Sequence, residues 1–257
     1  MRYPILRLNV DKVESNIRKI SNKVKDLGLE FRPHFKTHQS REIGEWFRKY
    51  DVNTITVSSL TMAEYFANLG WNDITVAFPV NILDLNKIDN LAAKIELKLL
   101  VGASEIVDVL DQNLTSKLSV YIEIDPQYGR SGVNFSNHKI IQSILNRIRE
   151  STNINFEGFY AHAGHSYKCR GENEIKDLVR PILKNLSELK TNFGGKLCWG
   201  DTPSCSILED FEEVDQISPG NFVFYDWMQT AIGSCTPGEI AVKMECPVVA
   251  KIGRAHV

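Results

Sequence analysis

The chain has 257 residues, of which 43% are hydrophobic and 24% are charged. This composition predicts one large packed domain or barrel. The formal net charge of −2 gives no electrostatic reason to expect nucleic acid or an anionic membrane as a partner. The first residues lack the apolar run of a signal peptide, and no stretch approaches the length of a membrane span. The five cysteines show no CxxC spacing, which is typical of reduced thiols, so we expect a cytoplasmic protein.

Short β-branched runs alternate with helical patterns along the chain. Asp11 is a candidate cap for a first helix, whose apolar residues recur every three or four positions until Gly28 ends it. Residues 61–64, TMAE, have the form of a capping box for another helix. Residues 136–150 show a third amphipathic pattern. These patterns predict helices that separate successive strands.

Eight strands are predicted between the helices. They lie at residues 30–37, 54–58, 73–78, 96–101, 119–125, 155–161, 196–200 and 216–224. Eight βα units are the number that closes a parallel barrel, and nearly all-apolar strands are typical of parallel sheets covered by helices. A doubly wound open sheet is the alternative, but no GxGxxG follows the first strand. We therefore predict an α/β fold, a parallel (β/α)8 TIM-type barrel over residues 1–238.

The pattern changes after Gly238. Residues 239–251 predict one more strand, or two around Pro247, with no helix after them. Because a closed barrel has no place for a ninth strand, we expect these residues to begin a C-terminal β domain that the chain does not complete. Residues 252–257, IGRAHV, match one translated frame of a common sequencing adapter, so we expect His256 to be no ligand.

The segment RPHFKTH, residues 32–38, is unusually basic for a strand. Side chains alternate faces along a strand, which would place four basic residues on one face: Arg32, His34, Lys36 and His38. Like charge and partial desolvation lower the pKa of a lysine amine, and a neutral amine reacts with aldehydes. A lone lysine at a strand end is more commonly a solvated surface charge.

Two small, polar turns follow the seventh strand and end the eighth: GDTPS at 200–204 and SPGN at 218–221. Their backbone N–H groups and hydroxyls suit a phosphate, although the compositions are also those of ordinary turns. In a parallel barrel both turns lie at the same end as the basic segment. An aldehyde-reactive lysine opposite a phosphate cradle indicates pyridoxal 5'-phosphate as the cofactor.

With RPHFKTH, EIDPQYGRSGV (123–133), YAHAGHSY (160–167), GDTPS and PGNFVFYD (219–226) in order, the chain resembles the fold-type III pyridoxal-phosphate enzymes. More narrowly, it resembles the D-threonine aldolase and D-serine dehydratase group, relatives of alanine racemase. The most specific match is the P-H-x-K-T-H motif at residues 33–38. The resemblance implies that Lys36 holds the cofactor as an internal aldimine. It further implies catalytic roles for Lys36, His162 and Tyr167, and cofactor contacts from His34, Arg130, His162, Gly200, Thr202, Gly220, Asn221 and Tyr225.

The resemblance implies a lyase that acts on small D-β-hydroxy amino acids. A dehydratase of this group yields a keto acid and ammonia, and an aldolase yields glycine and an aldehyde. Both use a divalent metal, zinc or manganese, held by the C-terminal β domain, so we expect no metal ligands in these 257 residues. A homodimer is expected by likeness. Three alternatives stay open: an amino-acid racemase of the same fold, a non-catalytic pyridoxal-phosphate carrier, and a barrel that binds another phosphate ligand.

Overall fold

The computed structural model describes residues 4–211 and 213–250, so the predicted adapter residues and His256 lie outside the described chain. The strands are β1 (Ile5–Leu8), β2 (Glu30–Phe31), β3 (Thr54–Val57), β4 (Asp73–Pro79), β5 (Glu96–Val101), β6 (Leu118–Asp125), β7 (Val133–Asn134), β8 (Ile154–Ala161), β9 (Lys196–Trp199), β10 (Gln216–Ile217) and β11 (Val242–Glu245). The α-helices are α1 (Val10–Asp26), α2 (Arg41–Arg48), α3 (Leu60–Ala67), α4 (Leu85–Ala92), α5 (Ser104–Asn113), α6 (His138–Glu150), α7 (Glu172–Phe193), α8 (Thr202–Ile207) and α9 (Trp227–Ile232).

Eight parallel strands form a nearly closed barrel, in the order β2-β10-β9-β8-β6-β5-β4-β3. The barrel closes between β2 and β3, where Thr56 N–H donates to the Pro33 carbonyl over 2.9 Å. His34 and Thr56 form a parallel bridge at the same point. The predicted parallel TIM-type barrel is therefore confirmed.

Two predicted helix starts are wrong by about half a turn. Asn9, not Asp11, caps α1, because its side chain accepts the Lys12 N–H. Ser59 caps α3 by accepting the Met62 N–H, which places the start before the predicted box at 61–64. Both caps satisfy an N–H that the helix itself leaves unpaired.

The predicted strand after Gly238 corresponds to β11, which lies outside the barrel. It pairs antiparallel with β1, with Leu8 opposite Val242. The sequence patterns did not predict β1. Residues 246–250 form no strand in the structure, so the predicted second strand near Pro247 is not seen there.

The first and last predicted barrel strands are too long. β2 ends at Phe31 and is followed by a 3-10 turn, Phe35–Thr37, which the His34 imidazole begins by accepting the Lys36 N–H. Similarly, β10 ends at Ile217, and a second 3-10 turn covers Asn221–Val223. Each strand stops close to a proline, which cannot donate a ladder hydrogen bond. The predicted face of four alternating basic residues is therefore wrong.

Two of these basic residues, Arg32 and His38, do not reach the cavity at the barrel mouth. Arg32 is fully buried inside the barrel, with its guanidinium 2.6 Å from Asp73 and 2.8 Å from Glu30. The His38 ring packs against Phe35, with ring centroids 4.4 Å apart, and desolvation lowers the pKa of His38 to about 4. Only His34 and Lys36 of the four line the cavity described below.

The lower barrel interior is a polar network. Lys98 donates to Asp73 Oδ1 over 2.6 Å, the oxygen that Arg32 also contacts, and the Tyr121 hydroxyl donates to the Gln216 side chain over 2.6 Å. Burial alone would raise the pKa of Asp73, but Arg32 and Lys98 hold it below its ordinary value. The charges under the site thus neutralise one another, while the apolar core lies between the strands and the helices.

The structure also bears on membrane association. No helix within residues 4–211 and 213–250 combines the length and the apolar character that crossing a bilayer requires.

We predict that Gly158→Ala destabilises the barrel. Gly158 of β8 pairs with Lys196 of β9, and an added Cβ would stand 1.9 Å from the Lys196 carbonyl oxygen. The two strands must separate to accept it, which costs about 2–4 kcal/mol of unfolding free energy. Urea denaturation measures this loss. Gly102→Ala is the control, because nothing lies within 4 Å of its added Cβ; equal losses in the two variants would contradict the prediction.

Candidate active site

A cavity of about 220 Å³ opens at the carboxyl ends of the barrel strands, the end at which barrels of this type carry their sites. Side chains and backbone from nearly every strand end reach it. They are His34, Lys36, Thr37, Ala77, Leu100, Glu123, Arg130, Tyr160, His162, Tyr167, Asp201, Ser218, Gly220 and Asn221.

Lys36 stands in the cavity from the 3-10 turn that follows β2. Solvent reaches its side chain through the mouth, but the surrounding protein still desolvates the amine. This desolvation, and secondly the positive charge of Arg130, lower the pKa of Lys36. The lowered pKa increases the fraction of neutral, nucleophilic amine.

His34 and His162 flank Lys36 as neutral rings. Burial, followed by the Lys36 charge, lowers the pKa of both imidazoles, that of His162 to about 3. His162 Nδ1 contacts the Gly200 carbonyl, which only accepts, so Nδ1 carries the proton and Nε2 is free of it. His34 Nδ1 accepts the Lys36 N–H over 3.3 Å, so His34 has the opposite tautomer.

Tyr167 and Arg130 provide donors at the cavity. Burial, and secondly the Asp201 charge, raise the pKa of Tyr167 to about 12, which keeps the phenol protonated. The Arg130 guanidinium lies 5.7 Å from the Tyr128 ring centroid and pairs with no carboxylate of the described residues. An unpaired guanidinium is available to a negatively charged atom of a ligand.

The start of α8 has few free N–H groups for a phosphate. Gly200 N–H donates to the Ala161 carbonyl over 2.9 Å, and Thr202 N–H to the Tyr167 hydroxyl over 3.3 Å. Pro203 has no N–H, and Ser204 N–H donates to Asp201 over 2.8 Å. Neither Gly200 nor Thr202 lines the cavity.

The loop after β10 offers a better backbone donor. Gly220 and Asn221 both line the cavity, and Gly220 N–H donates to no acceptor within the described residues. An added Cβ at Gly220 would lie 3.1 Å from the His34 carbonyl oxygen and from the Thr37 hydroxyl. The absence of a side chain therefore keeps this backbone close to the Lys36 turn.

The remaining predicted residue lies apart, and other residues were missed. Tyr225 does not line the cavity; its hydroxyl lies 3.0 Å from that of Ser206, in α8. Ser218, whose hydroxyl was expected to suit a phosphate, lines the cavity, but sequence reasoning did not select four other polar lining residues: Thr37, Glu123, Tyr160 and Asp201. Alternation within β6 could have indicated Glu123, which is two positions from the inward-facing Tyr121.

The described chain has no evident metal centre. No three His, Cys, Asp or Glu side chains within residues 4–211 and 213–250 converge as metal ligands. The residues present therefore do not fit a divalent metal, and no chemical step is assigned to one.

A parallel βα barrel with a lysine of lowered pKa at its mouth and a glycine loop beside it has the features of a cofactor-binding barrel. Comparison with known families narrows this class. The chain belongs to the family described as alanine racemase, N-terminal domain, which it matches over residues 8–224.

Several characterised proteins are similar to the chain. A D-serine dehydratase of Dictyostelium discoideum is 30% identical over 264 residues, covering 92% of this chain and 66% of that protein. A D-threo-3-hydroxyaspartate dehydratase of Delftia sp. (strain HT23) is 25% identical, covering 96% and 67%. The chain spans about two thirds of the length of these relatives.

Solved structures support the same fold. The D-threo-3-hydroxyaspartate dehydratase from Delftia sp. HT23 superposes with a TM-score of 0.88 at 24% identity, covering 95% of this chain and 67% of that one. A D-threonine aldolase from Filomicrobium marinum superposes with a TM-score of 0.84 at 18% identity, covering 95% and 68%.

We predict that Arg130→Gln raises the pKa of Lys36, because it removes the like charge that contributes to its lowering. The pKa stays below that of an ordinary lysine, since desolvation is the larger cause. Reductive methylation with ¹³C-formaldehyde and NMR titration measures it, with Lys36→Met assigning the resonance. Arg149→Gln, on the exposed face of α6, is the control; an unchanged Lys36 pKa in Arg130→Gln would contradict the prediction.

Proposed function

We propose that the chain is the cofactor-binding barrel of a pyridoxal-phosphate-dependent lyase that acts on D-β-hydroxy amino acids. The carrying observation is the Lys36 amine, partly desolvated and of lowered pKa, in one cavity with the Gly220–Asn221 loop. The 30% identity to a D-serine dehydratase supports this choice of substrate class.

The lining residues fit this cofactor. Lys36 Nζ is the amine that would hold its aldehyde carbon, and the free Gly220 N–H beside Asn221 would receive its phosphate. His162 presents a neutral ring, and the Arg130 guanidinium is free to meet the phenolic oxygen. Gly200 and Thr202 would support this site indirectly. The Gly200 carbonyl accepts from His162 Nδ1, and the Thr202 hydroxyl accepts from Asn221 N–H.

Bound pyridoxal phosphate would supply an electron sink that weakens the bonds at Cα of an amino acid. Lys36 Nζ, with its lowered pKa, is placed to accept the α-proton of the substrate and return to the neutral form between turnovers. Tyr167, protonated at its hydroxyl, is placed to donate a hydrogen bond on the substrate side and not to act as a base. A racemase of the same fold would need a second base besides Lys36, and Tyr167, held protonated, does not supply it.

We predict that the protein binds pyridoxal phosphate covalently through Lys36. Mixing should produce a visible absorbance band, and borohydride reduction should leave the cofactor mass on the peptide that contains Lys36. Lys36→Ala should lose both signals, whereas Lys184→Ala, on the exposed face of α7, should retain them. A colourless wild-type protein that still binds inorganic phosphate would instead support a barrel for another phosphate ligand.

We predict that the loaded protein, extended to the length of its relatives and supplied with zinc or manganese, converts D-serine to pyruvate and ammonia, and that Lys36→Ala lowers this rate by at least about a hundredfold. L-serine is the control substrate. Glycine and acetaldehyde from D-threonine would assign the aldolase reaction within the same class. Racemisation of D-alanine would favour the racemase, and a loaded protein that consumes none of these, with zinc or manganese added, would favour the carrier.

A further inference from the structure

Three hydrogen bonds join the turn after β8 to the segment after β9. The Ser166 hydroxyl donates to Asp201 Oδ1 over 2.9 Å, Thr202 N–H donates to the Tyr167 hydroxyl, and His162 Nδ1 donates to the Gly200 carbonyl. Both segments carry cavity-lining residues, so their relative position determines the shape of the site.

The direction of the Asp201 bonds follows from donor chemistry. Trp199 Nε1 only donates, and it donates to the Ser204 hydroxyl over 2.7 Å. The Ser204 hydroxyl therefore donates its own proton to Asp201 Oδ2 over 2.5 Å, while Ser204 N–H donates to Asp201 Oδ1. Both Asp201 oxygens therefore accept hydrogen bonds from groups that can only donate there, and such an arrangement favours the charged carboxylate.

Asp201 is more than a helix cap. Asn137 caps the thirteen-residue helix α6 at the surface with one hydrogen bond, yet the six-residue helix α8 has a carboxylate that is 2% exposed and lines the cavity. A buried carboxylate is costly, and its burial raises the pKa of Asp201 to about 6 despite its donors. The contact that the cap alone does not need is the bond to Ser166, next to Tyr167.

We propose that Asp201 is a positioning residue that acts on the site through Tyr167. Its carboxylate holds Ser166 against the start of α8, which brings the neighbouring Tyr167 hydroxyl onto Thr202 N–H and leaves the phenol proton to be donated toward the cavity. This role rests on the proposed function only for the identity of the ligand that Tyr167 meets.

The test is a double-mutant cycle in the full chain with pyridoxal phosphate as the probe. Asp201→Asn and Tyr167→Phe should each raise the Kd for pyridoxal phosphate about tenfold, and the double variant should bind no more weakly than the weaker single variant. Ser166→Ala should reproduce part of the Asp201→Asn effect. Asn137→Ala, which removes a cap distant from the cavity, should lower Tm without changing Kd.

A second measurement needs no cofactor. The change in Tm that Ser166→Ala causes in the apo protein should nearly vanish in the Asp201→Asn background, because the shared bond is already weakened. The positioning role would be overturned if the Kd increases of Asp201→Asn and Tyr167→Phe multiply in the double variant. It would also be overturned if Asp201→Asn changes Tm but leaves Kd unchanged. If the wild-type protein binds no pyridoxal phosphate, the proposed function fails. Additive Tm shifts would then also overturn the coupling between Ser166 and Asp201, whereas non-additive shifts would support it.

Discussion

The hydrogen bond from Thr56 N–H to the Pro33 carbonyl is the constraint on which the rest of the structure depends. β2 is only two residues long, and Pro33 has no N–H, so its carbonyl is the group left to pair with β3. This bond and the His34–Thr56 bridge close the barrel. They also fix where the next turn begins, and that turn directs Lys36 into the cavity.

Charged side chains are paired in the lower part of the barrel interior, whereas the two cations at its mouth are not. In its lower part Arg32 and Lys98 share Asp73, so the buried charges compensate one another. At the mouth, Lys36 and Arg130 form no ion pair within residues 4–211 and 213–250, and His34 and His162 are neutral. The carboxylates of Glu123 and Asp201 line the same cavity, where they accept hydrogen bonds from serine hydroxyls and leave the two cations unpaired.

Helix α8 shows how a familiar turn composition can serve another purpose. The residues GDTPS suggested a phosphate cradle, but the N–H groups of Gly200, Thr202 and Ser204 already donate to acceptors on Ala161, Tyr167 and Asp201. The segment instead holds His162 and Asn221 at the cavity, while the Gly220 N–H has no acceptor among the described residues. The loops after two neighbouring strands therefore differ in what their backbone can still bind.

The sequence by itself determined the eight βα units, the barrel, and the position of Lys36 and Gly220 at the same end of it, because hydrophobic period and turn composition are local properties. Only the tertiary structure decided which basic residues face the cavity: Arg32 pairs with Asp73 and the His38 ring packs against Phe66, and no local pattern in the sequence encodes these distant partners. It also decided the surroundings of Asp201, since Ser166 and Ser204 come from separate segments that meet only when the barrel closes.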